Sequence, residues 1–332
     1  MGDQLTLGLI GAGRIGRLHA AHLLNHVPRA RLLIVADVVE EAARRVAAPQ
    51  AVTDYRRVLD NPEVDAVAIC SATETHAPII QDAAAAGKHV FCEKPIALSL
   101  DAVDRAGDAI ERSGVVFQMG FNRRFDPNYA RVRQAVLQGE VGEPWLLHLI
   151  SRDPEPPPLD YVRTSGGMFL DMTIHDFDMA RFLVGSEVES VYATAAVRVD
   201  EAIGALGDVD TAVTTLRFVN GAMATIDNSR QAVYGYDQRA ELLGSRGMIS
   251  TQNNYPNTAQ VAGATGVYRD LPLHFFMERY LESYRAEMAA FVNAVLEGTP
   301  PQVAFKDGRA ALALGLAALL SHQEQRPVRV SE

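Results

Sequence analysis

The stretch Leu5-Thr6-Leu7-Gly8-Leu9-Ile10-Gly11-Ala12-Gly13-Arg14-Ile15-Gly16 decides the fold. A short apolar run, read as a strand over Leu5–Ile10, passes directly into G-x-G-x-x-G, and the helical pattern of residues 15–25 starts inside the motif. Glycines in that order let the backbone turn tightly and approach a pyrophosphate. The free N–H groups and positive dipole end of the helix N-terminus attract the phosphates. A second apolar run, residues 31–36, ends at Asp37, about 20 residues beyond the motif, where a carboxylate meets the adenosine ribose hydroxyls. Strand, helix and acid together favour a dinucleotide loop, Gly11 to Gly16, over an ordinary tight strand–helix turn. Asp37 also reads as a helix N-cap, and the two roles are compatible. A carboxylate repels a 2′-phosphate, Val38 brings no cation, and Arg44 and Arg45 read as a helix surface, so NAD is expected rather than NADP.

Outward from the loop, strand and helix patterns alternate through residue 120. Strands are expected at 64–70, 89–92 and 115–119, and helices at 40–47, 77–86 and 100–112. The run 64–70 is apolar throughout, as in a strand buried on both faces. This is the pattern of a doubly wound parallel sheet. Beyond about residue 122 the character changes. A helix at 128–138 and a strand at 145–151 lead into Asp153-Pro154-Glu155-Pro156-Pro157-Pro158, and Gly166-Gly167 precedes one long helix at 168–183. Strands follow strands at 188–199, 211–218, 223–230, 239–243 and 248–250, with Asn220-Gly221 as a hairpin turn, and helices at 275–297 and 307–323 close the chain. The expected class is α/β: a dinucleotide-binding domain over 1–121, and a second α/β domain over 122–332 with a large open mixed or antiparallel sheet. The last helix is free to pack back on the first domain.

Composition narrows the function. The 332 residues are 48% hydrophobic and 22% charged, which excludes a disordered chain, and about two domains are expected. The formal charge of −10, from 31 basic and 41 acidic side chains, disfavours nucleic acid and anionic membrane as partners. No apolar run is long enough to span a bilayer, and Met1-Gly2-Asp3-Gln4 carries no basic segment, so neither a membrane anchor nor a secretory leader is expected. Two cysteines, Cys70 and Cys92, form no disulfide framework, and a reducing, cytoplasmic setting follows. They end strands expected to be neighbours, where packing is their simplest role.

Two clusters carry chemistry. Glu93-Lys94-Pro95 follows a parallel strand at its carboxyl end, where doubly wound sheets bind ligands, so Lys94 stands near a nicotinamide ring if the loop holds one. A lysine there donates to an alcohol oxygen and stabilises developing negative charge, although most lysines are surface groups. Asp171, His175 and Asp178 stand at i, i+4 and i+7 and share one face of the expected long helix, whereas Asp176 points elsewhere. His175 suits a general base, and Asp171 can orient it. The plainer readings are a helix cap for Asp171 and a satisfied core histidine for His175. A metal site is not expected, because no cysteine or second histidine stands at ligand spacing. Trp145 reads as core or interface, Phe275-Phe276-Met277 as core, and Tyr284 as a side chain within reach of a pocket.

With the glycine loop, the segment from Cys70 through Ser71, Thr73 and His76 to Pro78, and Glu93-Lys94-Pro95, the whole chain resembles the Gfo/Idh/MocA oxidoreductase family. The resemblance implies an N-terminal Rossmann domain that binds NAD through Gly11, Ala12, Gly13, Arg14, Ile15, Gly16, Asp37, Ser71, Thr73, His76, Glu93 and Lys94. It also implies a cis peptide before Pro95 and homotetramers built through the C-terminal sheet. The segments 120–126, 151–154, 171–178 and 234–237 resemble members that oxidise inositols. For these the resemblance implies catalysis by Lys94, Asp171 and His175, and a polyol pocket with Asn122, Arg123, Asp153, Thr173, Asp178 and Tyr236. Some family members carry Met in place of Asn122 and Asn in place of Asp153, so isomer preference stays open. The expected reaction is NAD-dependent oxidation of myo-inositol to its 2-keto product. The alternatives are another cyclic polyol or sugar (scyllo-inositol, chiro-inositol, glucose), or an NAD-binding redox sensor without catalysis.

Overall fold

A computed structural model describes residues 4–330. They form two compact units. One holds the residues up to Phe125 together with Glu282–Leu312, and the other holds Asp126–Leu281 together with the residues from Ala313 on.

The first unit alternates β1 (Leu5–Ile10), α1 (Arg14–Asn25), β2 (Ala30–Ala36), α2 (Glu40–Arg44), β3 (Gln50–Val52), α3 (Arg56–Leu59), β4 (Ala66–Ile69), α4 (Thr73–Ala85), β5 (His89–Glu93), α5 (Leu100–Ser113) and β6 (Phe117–Gly120). The six strands are parallel in the order β3-β2-β1-β4-β5-β6. Strand order reverses between β1 and β4, and the crevice at the carboxyl ends of these two strands is where such sheets bind ligands. Leu7, Leu9, Ala66, Val67, Ala68 and Ile69 are fully covered, which is why their segments read as unbroken apolar runs. Helix ends follow local chemistry. Ser99 Oγ accepts from the Ala102 amide to start α5, and Gly114, at φ 70°, ends it. The short elements β3 and α3 lack a periodic signal and were not expected.

The second unit begins after a 3₁₀ turn, Asn122–Phe125, with α6 (Pro127–Leu137), which Asp126 caps and Pro127 opens. There follow β7 (Pro144–Arg152), α7 (Leu159–Ser165), α8 (Gly167–Asp171), α9 (Ile174–Val184), β8 (Val188–Ala196), α10 (Glu201–Ala205), β9 (Thr211–Phe218), β10 (Met223–Ser229), β11 (Asp237–Gly244), β12 (Gly247–Ser250), the hairpin β13 (Gln260–Gly263) and β14 (Gly266–Arg269), and α11 (Phe276–Arg279). Then, in chain order, come α12 (Leu281–Glu297), which falls in the first unit from Glu282 on, α13 (Phe305–Glu324), which passes from the first unit to the second after Leu312, and β15 (Val328–Arg329). Seven strands make one mixed sheet, β12-β11-β7-β10-β9-β8-β15, in which only β10 and β7 pair in parallel. Asn220-Gly221 turns β9 into β10 as its sequence demands, with Gly221 at φ 88°. Burial alternates along β9, so one sheet face packs inward and the other is open.

Several expectations need correction. The helix expected over 168–183 is two, α8 and α9, because the Met172 and Thr173 amides both bond to the Met168 carbonyl and the ladder restarts at Thr173. The helix over 275–297 is interrupted at Tyr280, and the strand over 188–199 stops at Ala196. Trp145 is 51% exposed, so it is not core, and Phe275, Phe276 and Met277 are half-buried. Residues 282–312, read by sequence as part of the second domain, belong to the first unit. There Met288, Phe291, Val292 and Val295 of α12 join Leu5, Leu7, Leu9, Ala20 and Leu23 in one core. Burying each such large side chain contributes about 1.5–3 kcal/mol, which explains why α12 is held there.

His22 on α1 gives this unit an acid sensitivity. The residue is buried, and neither ring nitrogen has a partner among the described residues. Burial first, then the charges of His19, His26 and Arg285, lower its pKa from 6.5 to about 4. The unfolded chain therefore takes up this proton more readily than the folded one. The stability that the neutral ring contributes is complete above pH 6.5 and is lost as pH falls to about 4. The shift corresponds to roughly 3 kcal/mol. His22→Leu should leave Tm nearly unchanged above pH 6.5 and flatten its decline below; a decline as steep as in the parent chain would refute this.

Candidate active site

The glycine loop has the geometry of a dinucleotide cradle. Gly11 turns at φ 95°, and a Cβ there would lie 2.5 Å from the Ser71 amide nitrogen, at the end of the neighbouring strand. A Cβ on Gly16 would lie 2.0 Å from the Gly11 carbonyl oxygen, so this glycine lets helix and strand close up. A Cβ on Gly13 would meet nothing within 4 Å. Space is thus left at the one glycine whose task is to admit a pyrophosphate, and no side chain caps the N-terminus of α1 behind it. Asp37 closes the loop from β2: its Oδ2 accepts from the Ala12 amide at 2.7 Å and its Oδ1 from the Val39 amide at 2.8 Å. Asp37 is not the N-cap of α2, because that position is Val39; its half-buried carboxylate steadies the turn ahead of the helix instead. Arg44 and Arg45 pair with Glu40 and Glu41 on α2, and Val38 is 90% exposed. Neither arginine is therefore set aside for a 2′-phosphate.

The ends of β4 and β5 are tied together by His76. Its Nδ1 lies 2.8 Å from the Pro95 carbonyl oxygen and its Nε2 3.0 Å from that of Ser71. Burial pulls its pKa below the ordinary value, against the two carbonyls that favour the proton. Both ring nitrogens are therefore taken up by the two turns that His76 joins. Ser71 and Thr75 share a hydroxyl hydrogen bond of 2.6 Å at the start of α4, where Thr73 is the first helical residue. Lys94 is half-buried, and Lys94–Pro95 is cis. The Glu93 carboxylate turns into the core and meets His19 at 2.7 Å. Asn122 and Arg123 follow β6 and are both buried, and Asn122 Nδ2 has no hydrogen-bond partner among the described residues.

The second unit carries its own polar cluster. Asp171 closes α8 and is 7% exposed; Tyr161 of α7 donates to its Oδ1 at 2.7 Å, and Arg230 stands 3.7 Å from its Oδ2. His175, half-buried, lies in the first turn of α9. Asp171 and His175 therefore sit on either side of a break rather than one turn apart on a continuous helix. Thr173, inside the break, donates to Asn228 Oδ1 of β10 at 2.9 Å, and Asn228 Nδ2 donates to Asp176 Oδ2 at 2.8 Å. These bonds to the sheet hold the break open and account for Asp176, which packs on β10. Asp178 is buried, Asp153 follows β7 with its amide on the Ser229 carbonyl at 2.9 Å, and Tyr236 packs edge-on against Tyr280. Asp237 beside it accepts from Tyr234, Arg239 and Asn253, which together outweigh burial and hold its carboxyl below the usual range. Sequence reasoning missed Tyr161 and Arg230. Arg230 was accessible: inward positions of β10 run Ala224, Ile226, Asn228 and then Arg230, polar groups where a core continues. Tyr161 gives no such signal.

A Rossmann-type unit with a dinucleotide cradle, followed by a unit with an open sheet and two short helices that carry a buried acid and a histidine, defines a nucleotide-dependent oxidoreductase by class. Residues 5–121 match the family model described as oxidoreductase family, NAD-binding Rossmann fold, and residues 129–250 match the GFO/IDH/MocA C-terminal domain. The chain belongs to the Gfo/Idh/MocA family. It is 48% identical to the myo-inositol 2-dehydrogenase of Thermotoga maritima, covering 99% of each chain. It is 45% identical to an inositol 2-dehydrogenase of Rhizobium meliloti over 98% of this chain and 99% of the relative. A crystal structure of scyllo-inositol dehydrogenase from Lactobacillus casei with bound NAD(H) and scyllo-inositol superposes with a TM-score of 0.92 at 30% identity, covering 99% of this chain and 100% of that one.

Proposed function

We propose that this chain is an NAD-dependent dehydrogenase that oxidises myo-inositol to its 2-keto product, scyllo-inosose. The observation that carries the reading is the buried Asp171, with a tyrosine hydroxyl and a guanidinium on its two oxygens, just ahead of His175 in a segment that is otherwise apolar. The identity to the Thermotoga enzyme supplies the substrate.

In this reading Gly11, Ala12, Gly13, Arg14, Ile15 and Gly16 hold the pyrophosphate, and Asp37 takes the ribose. Ser71, Thr73, His76, Glu93 and Lys94 shape the nicotinamide end. Asn122, Arg123, Asp153, Thr173, Asp178 and Tyr236 bind or frame the polyol. Bound NAD supplies the acceptor for the hydride that leaves the carbinol carbon. The chain's own contribution is to the proton and to position. Lys94 donates a hydrogen bond to the reacting hydroxyl oxygen and stabilises its developing negative charge. His175 takes the hydroxyl proton on its imidazole, and Asp171 orients the ring and stabilises the imidazolium. Loss of proton and hydride together turns the C–OH carbon into a carbonyl, so the reaction balances.

Asp37→Ala should weaken NAD binding and narrow the preference over NADP. Unchanged NAD affinity in a titration of the folded variant would count against the ribose contact. A second reading, a scyllo-inositol preference, draws on the Lactobacillus structure and on Asn122 and Asp153. A polyol panel with the purified enzyme separates the two. We further propose a cytoplasmic homotetramer. The open sheet face exposes Leu146, Val213, Met223 and Met248, which suits a second copy, and both cysteines are free. No helix among the described residues is long and apolar enough to cross a membrane. Sedimentation as a monomer at micromolar concentration would refute the assembly.

A further inference from the structure

A buried trio in the first unit joins Glu93 to two side chains, His19 and Glu287, that have no part in the roles assigned above. His19 of α1 is 0% exposed, and its Nε2 lies 2.7 Å from Oε1 of Glu93 and 4.0 Å from Oε1 of Glu287 on α12. Glu287 is also 0% exposed, and neither carboxyl oxygen has a hydrogen-bond partner among the described residues. The titratable and polar groups around the trio are Cys70 just after β4, Cys92 of β5, Gln118 of β6 and Tyr284 of α12. Gln118 gives its amide to the Glu287 main-chain oxygen at 2.8 Å, not to the carboxyl. The rings of Phe91 and Tyr284 close edge-on over His19, at 5.1 and 5.7 Å. Gly120 makes the room: a Cβ there would lie 3.2 Å from Glu93 Cδ.

Two ionised carboxylates cannot share this dry space with one imidazole, because a buried charge without a donor or counter-charge is costly. Glu93 takes the hydrogen bond of His19 at 2.7 Å, whereas Glu287 has no hydrogen bond among the described residues and only the same imidazole at 4.0 Å, so Glu287 keeps its proton. Burial, and then the charge of Glu93, push the Glu287 carboxyl well above the usual range. A divalent ion would suit the same ligand types, but the 2.7 Å contact between His19 and Glu93 is a hydrogen bond with no room for an ion between them.

We propose that His19, Glu93 and Glu287 form a buried positioning site for Lys94. Glu287 closes it as a neutral acid, His19 donates to Glu93, and Glu93 thereby ties the strand end that carries Lys94 to the helix behind the glycine loop. This rests on the reading that Lys94 touches the substrate hydroxyl. The reach is short, because Glu93 ends β5 and Lys94 is the next residue.

Three variants test it. Glu93→Ala should lower kcat by up to about 10²-fold, as a misplaced reacting group does, with a much smaller change in the Kd for NADH. Glu93→Gln, which retains size and an acceptor for His19, should recover part of that loss. Parent kcat in Glu93→Ala, or an equal loss in both variants, would overturn the positioning role. The third variant, Glu287→Gln, reports through stability alone. The folded chain holds this proton more tightly than the unfolded one, which releases it near pH 4.5, so the parent loses stability as pH rises from there. The Tm of Glu287→Gln relative to the parent should therefore climb with pH. A difference constant with pH, or a stoichiometric divalent metal in the purified protein, would overturn the neutral acid. Lys94→Ala run in parallel keeps the two readings apart. If it retains turnover, the assignment of Lys94 fails. If it is inactive while Glu93→Ala is not, only the positioning fails.

Discussion

His175→Ala should lower kcat by about 10²–10⁴-fold while NADH still binds. The residue stands in the first turn of α9, a helix whose neighbouring side chains Ile174, Phe177 and Met179 are buried. Its removal trims a half-buried ring and leaves that packing in place, so the fold should survive. The cofactor loop lies wholly in the first unit, so NADH affinity should be unaffected. Raising the pH should restore part of the rate, because a substrate hydroxyl that loses its proton to solvent needs the imidazole less. Parent turnover in the variant would end the role of His175 as general base. Loss of NADH binding would point to misfolding or to a cofactor role instead.

Gly13→Val should weaken NAD binding strongly without unfolding the protein. The three glycines of the loop differ in what a side chain would meet. Substituting Gly11 or Gly16 drives a Cβ to 2.5 or 2.0 Å from backbone atoms, so loss of cofactor there would be confounded with loss of structure. Gly13 opens onto space. A valine there occupies the volume reserved for the pyrophosphate, and overpacking of about 1–3 kcal/mol raises Kd by roughly 5–150-fold. Tm of the free protein should stay near that of the parent. An unaltered Kd for NADH would mean that the phosphates do not lie over this glycine.

Much of the first unit is legible in the sequence because a parallel sheet writes its strands as unbroken apolar runs. Leu5–Ile10 and Ala66–Ile69 are buried on both faces, and the glycine loop follows the first of them directly. The elements that escaped, β3 and α3 in the first unit and α7, α10, β15 and the hairpin β13–β14 in the second, are short or fully exposed and carry no apolar period. The break at Met172–Thr173 is invisible locally. It is imposed by the Thr173 hydroxyl on Asn228, a residue 55 positions away in sequence. The same holds for the site. Lys94, Asp171 and His175 could be singled out from spacing and chemistry, whereas the support for Asp171 by Tyr161 and Arg230, and the meeting of His19, Glu93 and Glu287, depend on tertiary contacts that no spacing reveals.

The central claim is tested most directly by following NADH formation with purified protein, NAD or NADP, and a panel of myo-, scyllo- and chiro-inositol with glucose. The account predicts fast turnover of myo-inositol with NAD and little with NADP. No turnover of any cyclic polyol by protein that still binds NADH would contradict it.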